Sequence, residues 1–343
     1  MKNSNLKIAI IGAGWYGCHI ASFLLDKSIE IQIFDKADSF FSGASGFNQN
    51  RLHQGFHYPR CSKTRFFSKN GFRLFKEKYP TLSNRIDKNY YCIHKTESLL
   101  DFGTYNMVMS SEGLKFKKVD NDLFFKFKNI EGVIDCEEEY IDHVMAKNYF
   151  ENKLGNFFNG NCEINQQNIN NLLSEYDWVI DCTWGGYKNY LPKKIYYEAC
   201  IFMIYETAIK EKIALTVMDG QLFSLFPFKD NLYSLTSVRE TPFSVHKSQQ
   251  EAQDSCNRIM QDDKRINEKI SFFEKEIISV FPDFKKHFSF SHVETSIKTK
   301  FKSAADSRVV EHFVEDNLIS IFAGKIDTVF YAEDIITKEI FDE

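Results

Sequence analysis

The sequence predicts an α/β fold: a parallel sheet flanked by helices, interrupted by two insertions of mainly antiparallel β-structure. Three observations predict it. A strand, a glycine-rich turn, a helix and a second strand follow one another within the first 40 residues. The apolar period then changes to two over residues 89–140. Buried-strand patterns ending in glycine turns return late in the chain, at 177–186 and 320–326. Strand–helix blocks separated by antiparallel blocks imply a discontinuous first domain, 1–88, 141–194 and 302–343. The second domain is then 89–140 and 195–301.

Each element has its own reason. Residues 7–11 are a short apolar run ending in glycines, as in a strand buried on both faces. Residues 15–25 carry small and apolar side chains at helical spacing. Ile29, Ile31 and Ile33 alternate with polar residues before Phe34 and Asp35. Residues 39–45 form a Ser/Gly loop, and 64–79 suit a helix. Residues 114–119 and 123–128 read as antiparallel strands with one wet face, so Lys115, Lys117 and Lys118 are solvated. Residues 142–154 suit a helix and 196–238 a run of strands. A long helix, open to a break, fills 248–280. Strands at 288–301 and 317–322 precede a closing helix at 327–340.

Composition narrows the function. In 343 residues, Lys+Arg 43 against Asp+Glu 47 leaves a net charge of -4, which argues against a nucleic-acid partner. Apolar residues at 43% supply a large core. No apolar stretch approaches the about 18 residues that a membrane span needs. The polar start has no signal-peptide anatomy. Eight scattered cysteines without a C-x-x-C pair suit reduced thiols in the cytoplasm and give no support to a metal site.

Gly12-Ala13-Gly14-Trp15-Tyr16-Gly17 is a G-x-G-x-x-G between an apolar strand and a helix, with Asp35 at the end of the next strand. That context makes it a dinucleotide turn. Gly12 permits the tight turn, Gly14 leaves the main chain bare for a pyrophosphate, and Gly17 lets helix and strand approach. Ala13 and Trp15 contribute main chain. The helix N-terminus offers unpaired N–H groups and about half a positive charge. Asp35 would accept from ribose hydroxyls, which disfavours a 2'-phosphate, and Lys36 lies beside it. These residues do not decide which dinucleotide binds.

Further segments carry a resemblance. Residues 42–58 form a Ser/Asn-rich loop soon after the acid, Asp177-Trp-Val-Ile-Asp-Cys-Thr-Trp-Gly185 ends in a Thr-x-Gly turn, and Ser320-Ile-Phe-Ala-Gly-Lys-Ile-Asp327 leads into the last helix. Together they look like FAD-dependent oxidoreductases of the D-amino-acid oxidase and glycine oxidase superfamily. Leu52-His-Gln-Gly-Phe-His-Tyr58 is similar to the His-x-Gly-x-Tyr-Tyr segment of the L-2-hydroxyglutarate oxidase branch. The resemblance implies a Rossmann-like FAD-binding domain with a discontinuous, mainly antiparallel substrate domain. It implies FAD contacts at Ser45, Asn48, Arg51 and Leu52, at Thr183 and Gly185, and at Gly324, Lys325 and Ile326. The last three would face the flavin N1/C2=O edge, where a helix end and a lysine stabilise negative charge. No cysteine follows Cys256, so the FAD is expected to be non-covalent.

The resemblance implies oxidation of a C–N or C–O bond of a small polar substrate, with electrons passed to oxygen or another acceptor. A base that takes a proton suits this chemistry, and His53 and His57 lie in the expected loop. With Gly55 between them, an irregular path is expected rather than one helical face. Arg51, Arg60, Lys298, Lys300 and Arg308 are cations able to anchor a carboxylate or phosphate, with Arg308 preferred. The residues 295–300 offer lysines where related enzymes carry an arginine, so an amino acid is not singled out. Tyr58 is read chiefly as a packing residue, His19 as a helix-surface residue, and Cys18 and Cys182 as small hydrophobes. A redox-neutral flavoenzyme acting on a nucleotide sugar and a non-catalytic dinucleotide-binding module remain alternatives.

Overall fold

The computed structural model describes residues 6–119, 124–186, 195–302, 310–322 and 324–341. The strand Lys7–Ile11 pairs in parallel with Glu30–Phe34 on one side and Trp178–Asp181 on the other. Its Ile8, Ala9 and Ile10 are fully buried, as expected of a strand covered on both faces. Leu318–Phe322 extends the sheet beyond Trp178–Asp181, and Glu311–Glu315 closes that edge antiparallel; Phe158–Asn159 lies at the other edge. Among the described residues this makes a six-stranded sheet drawn from three separated stretches of chain. The first helix, Trp15–Asp26, packs on it. Trp15 anchors the contact, with its ring 5.2 Å from Phe41, 5.5 Å from Phe75 and 5.6 Å from Phe150.

Among the described residues the second sheet is nine-stranded and mainly antiparallel. Its spine is the long pair Ile195–Thr207 and Phe288–Phe301. Ile213–Met218 departs from the pattern by pairing in parallel with Lys88–His94. One face buries against Asp263–Val280 through Phe273, Ile277 and Val280. The long helix expected to be open to a break is two helices, Gln249–Ile259 and Asp263–Val280. Asp262 causes the break by capping the second, accepting the Arg265 N–H at 3.0 Å.

A three-stranded sheet, Arg51–Leu52, Glu139–Ile141 and Ser83–Arg85, ties the Ser/Asn-rich loop to the start of the larger sheet. No described helix is long and apolar enough to cross a membrane.

Two expectations from the period of two are corrected. Phe102–Ser111 is a helix, capped by Asp101, which accepts the Thr104 N–H at 2.8 Å. Residues 124–129 are not a strand. There Phe125 is buried with its ring 4.3 Å from Phe281, so the aromatic side chains plug a core instead of alternating along a ladder. Lys115, Lys117 and Lys118 are exposed as expected.

Candidate functional site

The glycine turn has the predicted geometry. Gly12 has φ +101°, a left-handed conformation that favours glycine, and a Cβ there would lie 3.0 Å from the Cys182 carbonyl oxygen. A Cβ on Gly17 would sit 1.8 Å from the Gly12 carbonyl oxygen, so helix and strand can approach only without it. Gly14 is the N-cap of the first helix and gives it no side-chain cap. The Trp15 N–H donates to Ser45 Oγ at 3.0 Å, which brings the Ser/Asn-rich loop onto the helix N-terminus. Asp35 accepts the Ala13 N–H at 2.6 Å and the Ala37 N–H at 2.8 Å. Each carboxylate oxygen is thus aimed by main chain and keeps lone pairs for a sugar hydroxyl. Glycine main chain, a helix N-terminus and a fixed acid fit the adenylate and pyrophosphate of a dinucleotide.

Beside the turn lies a cavity of about 1380 Å³ between the two large sheets. Its wall brings together Gly14, Trp15, Ser45, Asn48, Arg51, His53, His57, Gly324, Lys325 and Ile326. Trp15 contributes its backbone edge, because its indole is in the core. The remaining predicted contacts, Gly12, Ala13, Gly17, Asp35, Lys36, Leu52, Thr183 and Gly185, are not on that wall. Leu52 is fully buried, and Lys36 is exposed. Thr183 donates both its N–H and its hydroxyl to Asp181, and Gly185 takes φ +84° in the turn after that strand. Asn48 donates to the Ala44 carbonyl and closes the short helix Ala44–Phe47. Arg308 lies outside the described residues.

His53 and His57 follow an irregular path around Gly55, whose φ is +114°. Their ring centroids are 5.4 Å apart. Behind His53 stands Glu138, which is buried and 3.8 Å from His53 Nδ1. Glu138 accepts the Gln54 N–H and the Tyr91 hydroxyl, each at 2.6 Å. Burial, helped by the nearby Lys325 cation, pushes the His53 imidazole below its ordinary pKa, with Glu138 opposing. Burial also acts on Glu138, but His53, Tyr91 and the Gln54 N–H outweigh it and hold its carboxyl below the usual range. Tyr91 is pushed well up, by burial and by Glu138, and stays a hydrogen-bond donor.

Lys325 is buried with Nζ 3.1 Å from Asp327 and 4.1 Å from the Tyr58 ring centroid, and it donates to Ser68. Burial opposes its charge, yet Asp327 raises its pKa above the ordinary value. The Tyr16 hydroxyl donates to the Lys325 carbonyl at 2.9 Å, fixing the last turn to the first helix. Tyr58 therefore has a packing role beneath a cation. Burial raises the Cys182 thiol well above its usual pKa, so it is a packing group at the cavity edge.

His19 is corrected: it is fully buried, with Nδ1 2.7 Å from the Tyr79 hydroxyl and Nε2 2.9 Å from Glu333. The first helix is covered by other helices on its outer face, so no side of it there is surface. Sequence reasoning passed over Glu138, Tyr91 and Asp327. The acidic run Glu137–Glu139 resembles a solvated edge, and only strand alternation hints that its middle member turns inward.

No family model matches the sequence. The chain is 34% identical over 342 residues to the FAD-dependent monooxygenase FPY4 of Fusarium mangiferae, spanning 98% of this chain and 91% of that one. The glycine oxidase of Geobacillus kaustophilus is similar in fold, with a TM-score of 0.70 at 10% identity, over 99% of this chain and 96% of that one. The FAD-bound L-α-glycerophosphate oxidase of Mycoplasma pneumoniae has a TM-score of 0.71 at 12% identity, over 97% and 93%. The fold is like that of the glycine oxidase and the glycerophosphate oxidase, and with the glycine turn and the FPY4 similarity it makes the chain an FAD-dependent oxidoreductase. The chain belongs to the family of the Fusarium FPY4 protein, and its cofactor is FAD.

Proposed function

We propose that the chain oxidises a C–N or C–O bond of a small polar substrate held in the cavity, with His53 as proton acceptor and His57 as its neighbour on the wall. The observation that carries this reading is a buried histidine, 3.8 Å from the Glu138 carboxylate, on the wall of the cavity that adjoins the glycine turn. When bound, FAD would supply a two-electron acceptor suited to a hydride at flavin N5, with oxygen or another compound as final electron acceptor. The chain's own part is to position and to move a proton. Gly12, Ala13, Gly14, Trp15, Gly17, Asp35, Lys36 and Ser45 hold the adenylate and pyrophosphate. Asn48, Arg51, Gly324, Lys325 and Ile326 line the cavity at the ring end. No covalent link is needed. His53 takes the substrate O–H or N–H proton as the C–H bond breaks, and Glu138 offsets the charge that it gains. With eight unpaired cysteines, the chain suits the cytoplasm.

The test is anaerobic mixing of the yellow protein with amino acids and 2-hydroxy acids while flavin absorbance is followed. His53→Asn should slow reduction by about 10²-fold or more while leaving the oxidised spectrum intact. Normal bleaching in both His53→Asn and His57→Asn would refute the proton-acceptor role. The similarity to a monooxygenase supplies a second arm: under ¹⁸O₂, an oxidase returns the label in peroxide, and a monooxygenase places it in product.

A further inference from the structure

We propose, beyond that reading and whichever bond is oxidised, that the Trp184 indole is a cofactor-binding face against which the flavin end of FAD rests. Four parallel strands of the six-stranded sheet end side by side, in the spatial order Leu318–Phe322, Trp178–Asp181, Lys7–Ile11 and Glu30–Phe34. Asp35 follows Glu30–Phe34, and the glycine turn follows Lys7–Ile11. Residues 182–185 follow Trp178–Asp181, and Gly324 comes just after Leu318–Phe322. Ligands of open α/β sheets lie across such strand ends. A dinucleotide with its sugar at Asp35 and its pyrophosphate at Gly14 therefore meets residues 182–185 next, and then Gly324.

Within that turn the neighbours of Trp184 are tied down and Trp184 is presented. Thr183 is bonded to Asp181, and the Gly185 carbonyl accepts the Tyr197 hydroxyl at 2.6 Å. A Cβ on Gly185 would lie 3.1 Å from Thr299, 3.2 Å from Ile195 and 3.3 Å from Phe322, so the turn is seated there. Trp184 has φ +56°, a left-handed conformation uncommon for so bulky a side chain. It lines the cavity, whereas Thr183 and Gly185 do not. A Cβ at Gly324 would lie 3.6 Å from Trp184 Cζ2, which puts the indole beside the turn into the last helix.

The other two tryptophans are core residues. Trp15 is part of the apolar core of the six-stranded sheet, and Trp178 packs against it. Among the described residues Trp184 is half-buried and joins no apolar cluster. An indole on a cavity wall without apolar neighbours contributes little to a core. It is a good platform for a planar ring, because paired rings attract beyond the area they bury. The flavin is the planar ring that the order of strand ends brings there.

The test measures FAD release from the holoenzyme on dilution, and displacement of FAD by ADP, which carries the adenosine and pyrophosphate without the flavin. Trp184→Asn tolerates a left-handed backbone but removes the ring. It should weaken FAD binding about three- to tenfold and leave the inhibition constant of ADP unchanged. Trp184→Phe, which keeps an aromatic face, should weaken FAD less than Trp184→Asn does. Unchanged FAD affinity in Trp184→Asn would overturn the proposal. Parallel losses for FAD and ADP would overturn it too, and make Trp184 a support of the turn. Should Trp184→Asn fail to fold, Trp184→Phe decides: the visible circular-dichroism band of the bound flavin should change, and an identical band would overturn the contact. These binding measurements need no substrate, so a flavin that no compound bleaches would count against the oxidation reading alone.

Discussion

Asp35 is fixed from two sides by main-chain N–H groups, those of Ala13 and Ala37. Asp35→Asn would turn an amide toward one of those donors, and Asp35→Ala would also release the turn. FAD retention, read as the ratio of visible to ultraviolet absorbance after dialysis, should fall at least tenfold in Asp35→Ala; full retention would contradict the assignment. The position of Asp35 beside the glycine turn was legible in the sequence because it follows from distance along the chain. Glu138 was not. Its role depends on Tyr91 and His53, which approach it from strands and loops 47 and 85 residues away. The Glu138 carboxylate raises His53, so Glu138→Gln should move the acid limb of flavin reduction to lower pH and slow the plateau rate. An unmoved limb, measured by stopped flow from pH 5 to 8, would remove Glu138 from the proton path.

The helix Ser62–Lys78 carries a comparable constraint for a whole element. A Cβ on Gly71 would meet the Asp327 carbonyl oxygen at 1.7 Å, so the helix seats directly on the turn that bears Lys325. Gly71→Ala must push that turn away. We expect a loss of about 1–3 kcal/mol in unfolding free energy, with weaker FAD retention. Unchanged stability by urea denaturation would mean that the turn yields freely. The helix itself was legible from its periodicity, but its seat was not, since a mid-helix glycine has many explanations. The helix Phe102–Ser111 was missed because a tract of alternating residues surrounds it. Its Asp101 cap and its buried Tyr105 and Met109, four apart, are the signals that would have revealed it.

For the whole molecule, the three-block course of the six-stranded sheet was legible because buried parallel strands are short apolar runs ending in turns. The meeting of the two large sheets at Arg51, Thr216 and Ser224 was not, because contacts across such an interface leave no periodic trace. The packed interior also makes stability depend on pH. Burial lowers the pKa of His19, with Glu333 opposing, and His53 and His143 shift the same way. Above the ordinary histidine value of about 6.5, folded and unfolded chains are both neutral at these sites and stability is full. Below it, the unfolded chain takes protons that the fold refuses. Stability then drops by up to about 1.4 kcal/mol per pH unit for each group until its folded pKa is reached. Tm should fall from pH 7 to 5.5, with a smaller slope in His19→Gln; identical slopes would show that His19 is not among the groups responsible.

On the proposed function, a substrate bound in this cavity gives up two electrons to the FAD of this chain. Anaerobic titration of the purified yellow protein with a panel of amino acids and 2-hydroxy acids tests it most directly. At least one compound should bleach the flavin absorbance stoichiometrically without any nicotinamide present. A flavin that stays oxidised across the panel, yet bleaches at once with NADH or NADPH, would contradict the account.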